Sequence, residues 1–100
     1  MNQIILVGKI KDEPRYEQTS SGINYATMLV EVPRNFDDEQ SDVFQVTLWK
    51  QVADYLKEKG RVNDLVGIKG RLKPNNYQRS EEETIYHSDV ICERITFINE

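Results

Sequence analysis

The chain has 100 residues, of which 38% are hydrophobic and 30% charged, with five Gly and three Pro. This size and composition favour one soluble globular domain over residues 1–100 and exclude a disordered or fibrous chain. The net charge of −4, taken alone, argues against a nucleic-acid partner. However, residues 44–79 carry eight basic and three acidic groups, between two acidic flanks. The middle of the chain is therefore basic.

Membrane insertion and secretion are not expected. The longest apolar run, Ile4 to Val7, is far shorter than the ~20 residues that span a bilayer. The first residues lack the basic and hydrophobic segments of a signal peptide. Cys92 is the only cysteine and cannot form an intrachain disulfide. We therefore expect a cytoplasmic protein with Cys92 in its core.

The first half of the chain predicts two strands and two connections. Residues 3–10 are β-branched and apolar, and the interior Gly8 indicates a bulge or a close approach of another backbone. The polar segment 12–22 predicts a loop. A second strand shows period-two alternation and ends at Pro33, and the acidic residues 35–42 predict a hairpin connection. The side chains expected to point inward from this second strand are Met28, Val30 and Val32.

The middle of the chain predicts a third strand followed by a helix. Residues 44–49 alternate, with Phe44, Val46 and Leu48 on the core face. The spacing of apolar residues then becomes helical at Val52, Ala53 and Leu56, and Gly60 stands where a left-handed cap would end a helix.

The last part of the chain predicts two more strands. After an Asn63-Asp64 turn, alternation runs from Val66 to Lys73, and a polar hairpin of residues 75–83 leads into a fifth strand, residues 84–97. The inward residues expected on this last strand are Tyr86, Val90, Cys92 and Phe97. The order β-β-β-α-β-β predicts an all-β OB-fold, a five-stranded Greek-key barrel with one short helix between strands 3 and 4.

Catalytic chemistry finds little support in the residues. His87 and Cys92 each occur once, without a phosphate loop, metal-ligand spacing or nucleophile motif. A solvent-facing strand position is the favoured interpretation of His87. The acidic runs 37–39 and 81–83 lack the glycine and ligand spacing of a calcium loop, so solvated loops are favoured there. We expect neither an enzyme nor a metal or cofactor.

The positions of the aromatic residues point to nucleic acid. Trp49 follows Leu48 and so faces outward if Leu48 is buried. On strand 4 a second outward face carries cations and continues into the hairpin towards Tyr77, and Phe36 lies at the tip of the strand 2–3 hairpin. Unpaired bases stack on such rings while Lys and Arg follow the phosphates. The cations and amide on this second face are Lys69, Arg71, Lys73 and Asn75.

Structural explanations compete with each of these assignments. Trp49 could cap the barrel beneath the helix, because it also begins the helical stripe. The three cations of strand 4 could form an ordinary solvated face, and Tyr77 and Phe36 could pack locally within their loops. Taken together, the rings and cations favour binding of a single strand.

The ordered motifs resemble those of the bacterial single-stranded-DNA-binding proteins of replication and recombination. Residues 1–10 are similar to the first strand of that family, and Pro14 and a turn at residues 19–22 follow in the same order. Further similar segments are residues 34–36, 42–49, 52–53, 70–77 and 86–90, so the resemblance covers essentially the whole chain.

The resemblance implies a function and a set of site residues. Phe36, Trp49 and Tyr77 would stack on bases, and the protein would coat and protect single-stranded DNA without sequence preference in replication, recombination or repair, near the nucleoid. It would assemble as a homotetramer, or as a dimer like some relatives, through strand 1. The phosphate contacts that the resemblance implies are Lys9, Arg34, Lys50, Arg61, Lys69, Arg71 and Lys73.

The sequence also departs from the family pattern. Val43 occupies a position where the family has a further stacking ring, Asn75 and Asn76 stand where basic residues are frequent, and Asn63-Asp64 replaces a Gly-Ser turn. The long tail with an acidic tip ending in Phe is missing, so we expect no partner recruitment through such a tip. The chain would then be a short paralogue, of a mobile element or an accessory pathway, or a trimmed form.

Two other functions remain open from the sequence. A primosome-type accessory OB protein would act mainly through protein–protein contacts, with the rings as interface anchors. An RNA or tRNA binder would use the same stacking chemistry.

Overall fold

The computed structural model describes residues 1–34 and 37–98, with the side chains of Asp37 and Asp38 left aside. The predicted stacking residue Phe36 lies outside the described residues. In chain order the elements are β1 (Ile4–Ile10), β2 (Arg15–Gln18), β3 (Asn24–Arg34), β4 (Asp37–Trp49), α1 (Gln51–Lys59), β5 (Leu65–Pro74), β6 (Tyr77–Gln78), β7 (Thr84–Ile85) and β8 (Ser88–Phe97).

Five of the described strands close into a barrel. The order is β1-β5-β8-β4-β3, and β3 returns to β1 through the pairs Lys9–Glu31 and Ile10–Val30. The β4–β8 pairing is parallel and the other four are antiparallel. With α1 between the third and fourth barrel strands, this architecture is an OB-fold, so the predicted fold class is confirmed.

The predicted alternation places the core correctly on the central strands. Met28 on β3 and Val46 and Leu48 on β4 are fully buried. Their sequence neighbours Thr27, Leu29 and Thr47 are more exposed and face outward. Helix α1 adds Ala53 and Leu56 to the same core, as the i, i+3, i+4 spacing predicts. Cys92 is buried as expected.

Gly8 lets β1 change partners. Along β1 the pairing with β5 runs to Lys9, and at Lys9 and Ile10 the strand also pairs with β3. A Cβ on Gly8 would collide with the backbone carbonyl of Glu31 on β3. The predicted close approach of another backbone at this glycine is therefore confirmed, and it lies where the barrel closes.

Helix α1 ends differently from the prediction. Gly60 has φ −81° and ψ 146°, which is extended backbone rather than a left-handed cap. Its N–H still donates to the Leu56 carbonyl at 2.7 Å, and a Cβ at Gly60 would lie 2.7 Å from Leu56 Cδ1. Close packing against Leu56 therefore explains the glycine. The left-handed residue comes later, at Asn63 (φ 76°), within the predicted turn.

Two connections predicted as loops contain strands. The polar segment 12–22 includes β2, which pairs with the start of β3 from Arg15–Thr27 to Gln18–Asn24. The acidic segment 35–42 is largely the beginning of β4, which extends the β3–β4 ladder to Asp37. In both segments the backbone hydrogen bonds come from a neighbouring strand, so polar side chains do not prevent strand formation.

The predicted fifth strand is interrupted. Residues 84–85 form β7, which pairs with β6 in a separate hairpin, and the barrel strand β8 begins at Ser88. Tyr86 lies between them and is 79% exposed. Its predicted inward orientation is wrong because the alternation does not continue through residues 86–87. In the described part of the chain, no helix is long and apolar enough to cross a membrane.

Candidate nucleic-acid interface

Trp49 lies on the outer surface of the barrel. Its neighbour in sequence, Leu48, is buried opposite Ala26, whereas Trp49 pairs with Tyr25 on β3. The two rings form a tilted stack, with centroids 4.9 Å apart and an interplanar angle of 31°. Trp49 is partly exposed. This confirms its predicted outward projection and argues against the alternative in which it caps the core beneath α1.

Tyr25 also meets the edge strand β2. Glu17 pairs with Tyr25 across the β2–β3 ladder, and directly opposed residues of a sheet point to the same face. The Glu17 carboxylate, by hydrogen bonding to the Tyr25 hydroxyl and by its charge, raises the pKa of Tyr25, while Arg15 lowers it. Glu17, Tyr25 and Trp49 therefore form one row across three strands.

A second row lies beside the first and crosses five strands. Thr27 pairs with Arg15 on β2 and with Thr47 on β4. Thr47 pairs with Ile91 on β8, which in turn pairs with Arg71 on β5. Arg15 and Arg71 are exposed, while Ile91 is buried. The row thus has a guanidinium at each end, and we call these two rows together the outer face.

Lys50 connects Trp49 to α1 in an unusual conformation. Its φ of 55° and ψ of −124° belong to the region that non-glycine residues rarely adopt. The Lys50 N–H donates to the Asn24 carbonyl at 2.8 Å, and its carbonyl accepts from the Asp54 N–H at 3.0 Å. This turn ties the end of β4 to the start of β3, beside the Tyr25–Trp49 pair, and Lys50 itself is exposed.

The three predicted cations of strand 4 lie on β5 and are exposed: Lys69, Arg71 and Lys73. Lys69 lies between the buried Ile68 and Gly70, and Arg71 follows Gly70, but the alternation stops there because Leu72 is exposed as well. Arg71 forms a salt bridge with Glu93 on β8: its Nε is 3.5 Å from a carboxylate oxygen of Glu93. The row of Arg71 reaches Thr47, two residues from Trp49. Arg71 and Trp49 therefore both lie on the outer side of the barrel, on strands that are separated by β8.

Tyr77 and Arg34 are displaced from this surface along two hairpins. Tyr77 is 58% exposed on the β6–β7 hairpin, opposite Ile85. Arg34 binds within its own hairpin: it is 2.9 Å from Asp42 and donates to Gln40 at 2.7 Å. The hydrogen bond to Asp42, with its charge, raises the pKa of Arg34. Its cation is therefore already paired.

Lys9 and Arg61 lie further round the barrel. Lys9 is exposed on β1 and pairs with Glu31, which pairs in turn with Val43. Arg61 follows the end of α1, where it donates to the Gly60 carbonyl at 2.9 Å. Lys50 stands at the other end of that helix. Neither Lys9 nor Arg61 belongs to the two rows of the outer face.

Sequence reasoning missed Tyr25 and Arg15. Tyr25 could have been found, because the outward parity of Thr27 and Leu29 extends back to it. Arg15 lies on β2, which shows no strand pattern in sequence. Among the described residues, no group of three or more His, Cys, Asp or Glu side chains is arranged to hold a metal ion.

The barrel and its outer face define a protein of the OB-fold class. The family model of the single-strand binding protein family matches residues 1–98, and the chain belongs to that family.

Curated relatives agree with this assignment over nearly the whole chain. It is 28% identical to a single-stranded DNA-binding protein of Enterococcus faecalis, covering 98% of this chain and 54% of the relative. It is 30% identical to single-stranded DNA-binding protein 1 of Staphylococcus aureus strain Mu50, covering 98% of this chain and 65% of the relative. The chain therefore spans about half to two thirds of the length of these relatives.

A solved structure shares the fold. The Plasmodium falciparum SSB complex with ssDNA superimposes with a TM-score of 0.76 at 16% identity, covering 99% of this chain and 96% of the other. At this identity the similarity concerns the barrel architecture.

Proposed function

We propose that the protein binds single-stranded DNA without sequence preference and without performing chemistry on it. Trp49 stacks on bases, and lysine and arginine side chains neutralise the phosphates. The observation that carries this proposal is the outward Trp49 on a surface whose neighbouring row has Arg15 and Arg71 at its ends. Membership of the single-strand binding protein family supports it, and so do the names of the curated relatives.

The net negative charge does not contradict this proposal. Binding depends on the local field: the outer face carries Arg15 and Arg71 in the row beside Trp49, and the exposed Lys50 directly follows Trp49 in the chain. We propose that these cations contribute most of the salt dependence. The further phosphate contacts and stacking residues that we propose are Lys9, Arg34, Arg61, Lys69, Lys73, Phe36 and Tyr77.

We also propose that the chain forms a homo-oligomer through β1. Ile5 is 63% exposed and Val7 is 48% exposed on the outer side of this strand, and adjacent exposed apolar residues are typical of association surfaces. Replacing Val7 with Lys should lower the molar mass measured by analytical ultracentrifugation. A monomeric wild-type chain would contradict this assembly.

From the proposed role in coating DNA, we also propose that the protein acts at the nucleoid, in replication, recombination or repair.

The first experiment uses Trp49 as its own reporter, since it is the only tryptophan. Poly(dT) is titrated at low and moderate salt while Trp49 emission is followed. We expect strong quenching and a binding constant that falls steeply with salt. Binding of a labelled dT oligonucleotide, followed by anisotropy, should weaken by ~1–3 kcal/mol in Trp49→Ala.

Controls separate stacking from general effects. Tyr55→Ala removes another partly exposed ring, which is paired with Phe97 rather than with Trp49, and should leave the affinity unchanged. Duplex DNA should compete poorly, and poly(rU) tests the role of the 2′-OH. Absence of binding at both salt concentrations would overturn the proposal and favour a protein-interaction function.

A further inference from the structure

Trp49 packs against a second aromatic residue, Tyr25, which was not among the predicted site residues. The rings of Tyr25 and Trp49 are 4.9 Å apart at 31°, a geometry within the range of attractive aromatic pairs. Because the Tyr25 ring lies against the indole, one side of Trp49 is occupied by protein. Trp49 is still partly exposed, so the remaining part of its ring surface can be reached by a base.

Tyr25 is itself held from the opposite direction. Glu17 on β2 stands directly across from Tyr25 and faces its hydroxyl. Strand β2 is only four residues long and carries Tyr16, which packs against the core, next to Glu17. The core contact of Tyr16 thus fixes the strand that presents Glu17 to Tyr25.

The backbone fixes the other end of the pair. Lys50, immediately after Trp49, donates its N–H to the Asn24 carbonyl, immediately before Tyr25. The β3–β4 register therefore cannot slip at this point without losing the Lys50 turn. Both members of the pair are restrained by neighbours in sequence and across strands.

We infer that Tyr25 is a positioning residue for Trp49: it backs one side of the indole, is steadied by Glu17, and so presents the opposite side of Trp49 to a base in single-stranded DNA. This inference rests on the proposed function. It differs from a role in direct base contact, because Tyr25 then acts only through Trp49. Tyr25 already restricts the Trp49 side chain in the free protein. Less conformational entropy of Trp49 is therefore lost when DNA binds, which favours affinity.

A double-mutant cycle tests the inference. Affinity for a labelled dT oligonucleotide is measured by anisotropy for Tyr25→Val, Trp49→Ala and the double variant. Tyr25→Val should weaken binding by about two- to tenfold, and should cause no further loss when Trp49 is already Ala. Tyr25→Phe keeps the ring but loses the hydroxyl that Glu17 faces, so it should weaken binding less than Tyr25→Val does.

A readout without DNA accompanies the cycle. The near-ultraviolet circular dichroism of the Tyr25–Trp49 pair should be lost in Tyr25→Val and retained in Tyr25→Phe. Tyr55→Val is the matched control, because it removes a tyrosine from the other described aromatic pair, with Phe97, and should change neither the affinity nor the Trp49 signal. Should Tyr25→Val fail to fold, Tyr25→Thr, which also favours strands, replaces it.

The outcomes are distinguishable. If Tyr25→Val weakens binding equally in the wild-type and Trp49→Ala backgrounds, Tyr25 acts independently of Trp49 and the inference is wrong. If Trp49→Ala weakens binding and Tyr25→Val does not, the inference is also wrong, while the proposed function stands. If Trp49→Ala itself leaves the affinity unchanged, the proposed stacking function fails first.

Discussion

Arg71 on β5 lies 3.5 Å from Glu93 on β8, so a carboxylate shares the guanidinium that ends the longer row of the outer face. Both side chains are about half exposed, and such a pair contributes little to stability. The Arg71–Glu93 pair should have a larger effect on the affinity for DNA, because a phosphate group must compete with Glu93 for Arg71.

Glu93→Gln should therefore strengthen binding of single-stranded DNA. We expect an increase of about two- to fivefold at low salt, from the removal of one competing charge, and Arg71→Ala should weaken binding. The measurement is anisotropy with labelled dT oligonucleotides over a range of salt concentrations. Glu58→Gln, an exposed acid on α1, is the matched control. If Glu93→Gln and Glu58→Gln strengthen binding equally, the gain comes from the change in net charge, and the release of Arg71 does not contribute to it.

Lys50→Gly should stabilise the fold while removing a charge next to Trp49. The positive φ of 55° at Lys50 is strained for a residue with a Cβ, and relief should raise the free energy of unfolding by ~1 kcal/mol. Urea unfolding measures this change. Lys50→Ala removes the same charge without relieving the backbone, so it should not be stabilising. If both variants have the same stability, the turn is not strained.

Gly8→Ala should destabilise the barrel, because the added Cβ meets the Glu31 carbonyl where β1 joins β3. We expect a loss of ~1–3 kcal/mol, as for overpacked positions. The control is Gly67→Ala on the adjacent strand, where the nearest atom to the new Cβ is Ile98 Cδ1 at 3.7 Å. Thermal unfolding of the two variants compares them directly. A Gly8→Ala chain as stable as Gly67→Ala would contradict the close approach.

Alkaline pH should destabilise the protein partly through Cys92. Burial raises the pKa of this thiol from 9.0 to about 11, so the unfolded chain loses the proton first. The contribution of the thiol to stability is complete below pH 9 and is lost as the pH rises towards 11. The fall in unfolding free energy between pH 8 and pH 10.5, measured in urea, should be smaller in Cys92→Val. An identical fall in both proteins would exclude this linkage.

Much of the fold could be predicted because the core alternates. Met28, Val46 and Leu48 mark their strands by period two, and the change to helical spacing locates α1. Strand β2 could not be predicted in this way, since it is a polar edge strand whose hydrogen bonds are supplied by β3. Tyr86 was misplaced because the local pattern cannot show that the chain leaves the barrel at the β6–β7 hairpin.

The outer face was predictable in part for the same reason. Parity along β4 placed Trp49 outside, and the same parity along β5 placed Arg71 there. Their meeting on one surface depends on the register of β4 with β8 and of β8 with β5, which no local pattern contains. Arg15 and Glu17 on β2 and Tyr25 on β3 also come together only through the β2–β3 register, which the local sequence does not show.

The longer row also sets a length scale. From Arg15 to Arg71 it crosses four interstrand gaps, and at ~4.8 Å for each gap the path between these residues, followed around the curved surface of the barrel, is about 19 Å long. A DNA strand that follows this row crosses the β-strands instead of running along them. The length of DNA that one chain contacts is then set by the number of strands that the DNA crosses, and β2, an edge strand of four residues, adds one interstrand step to it.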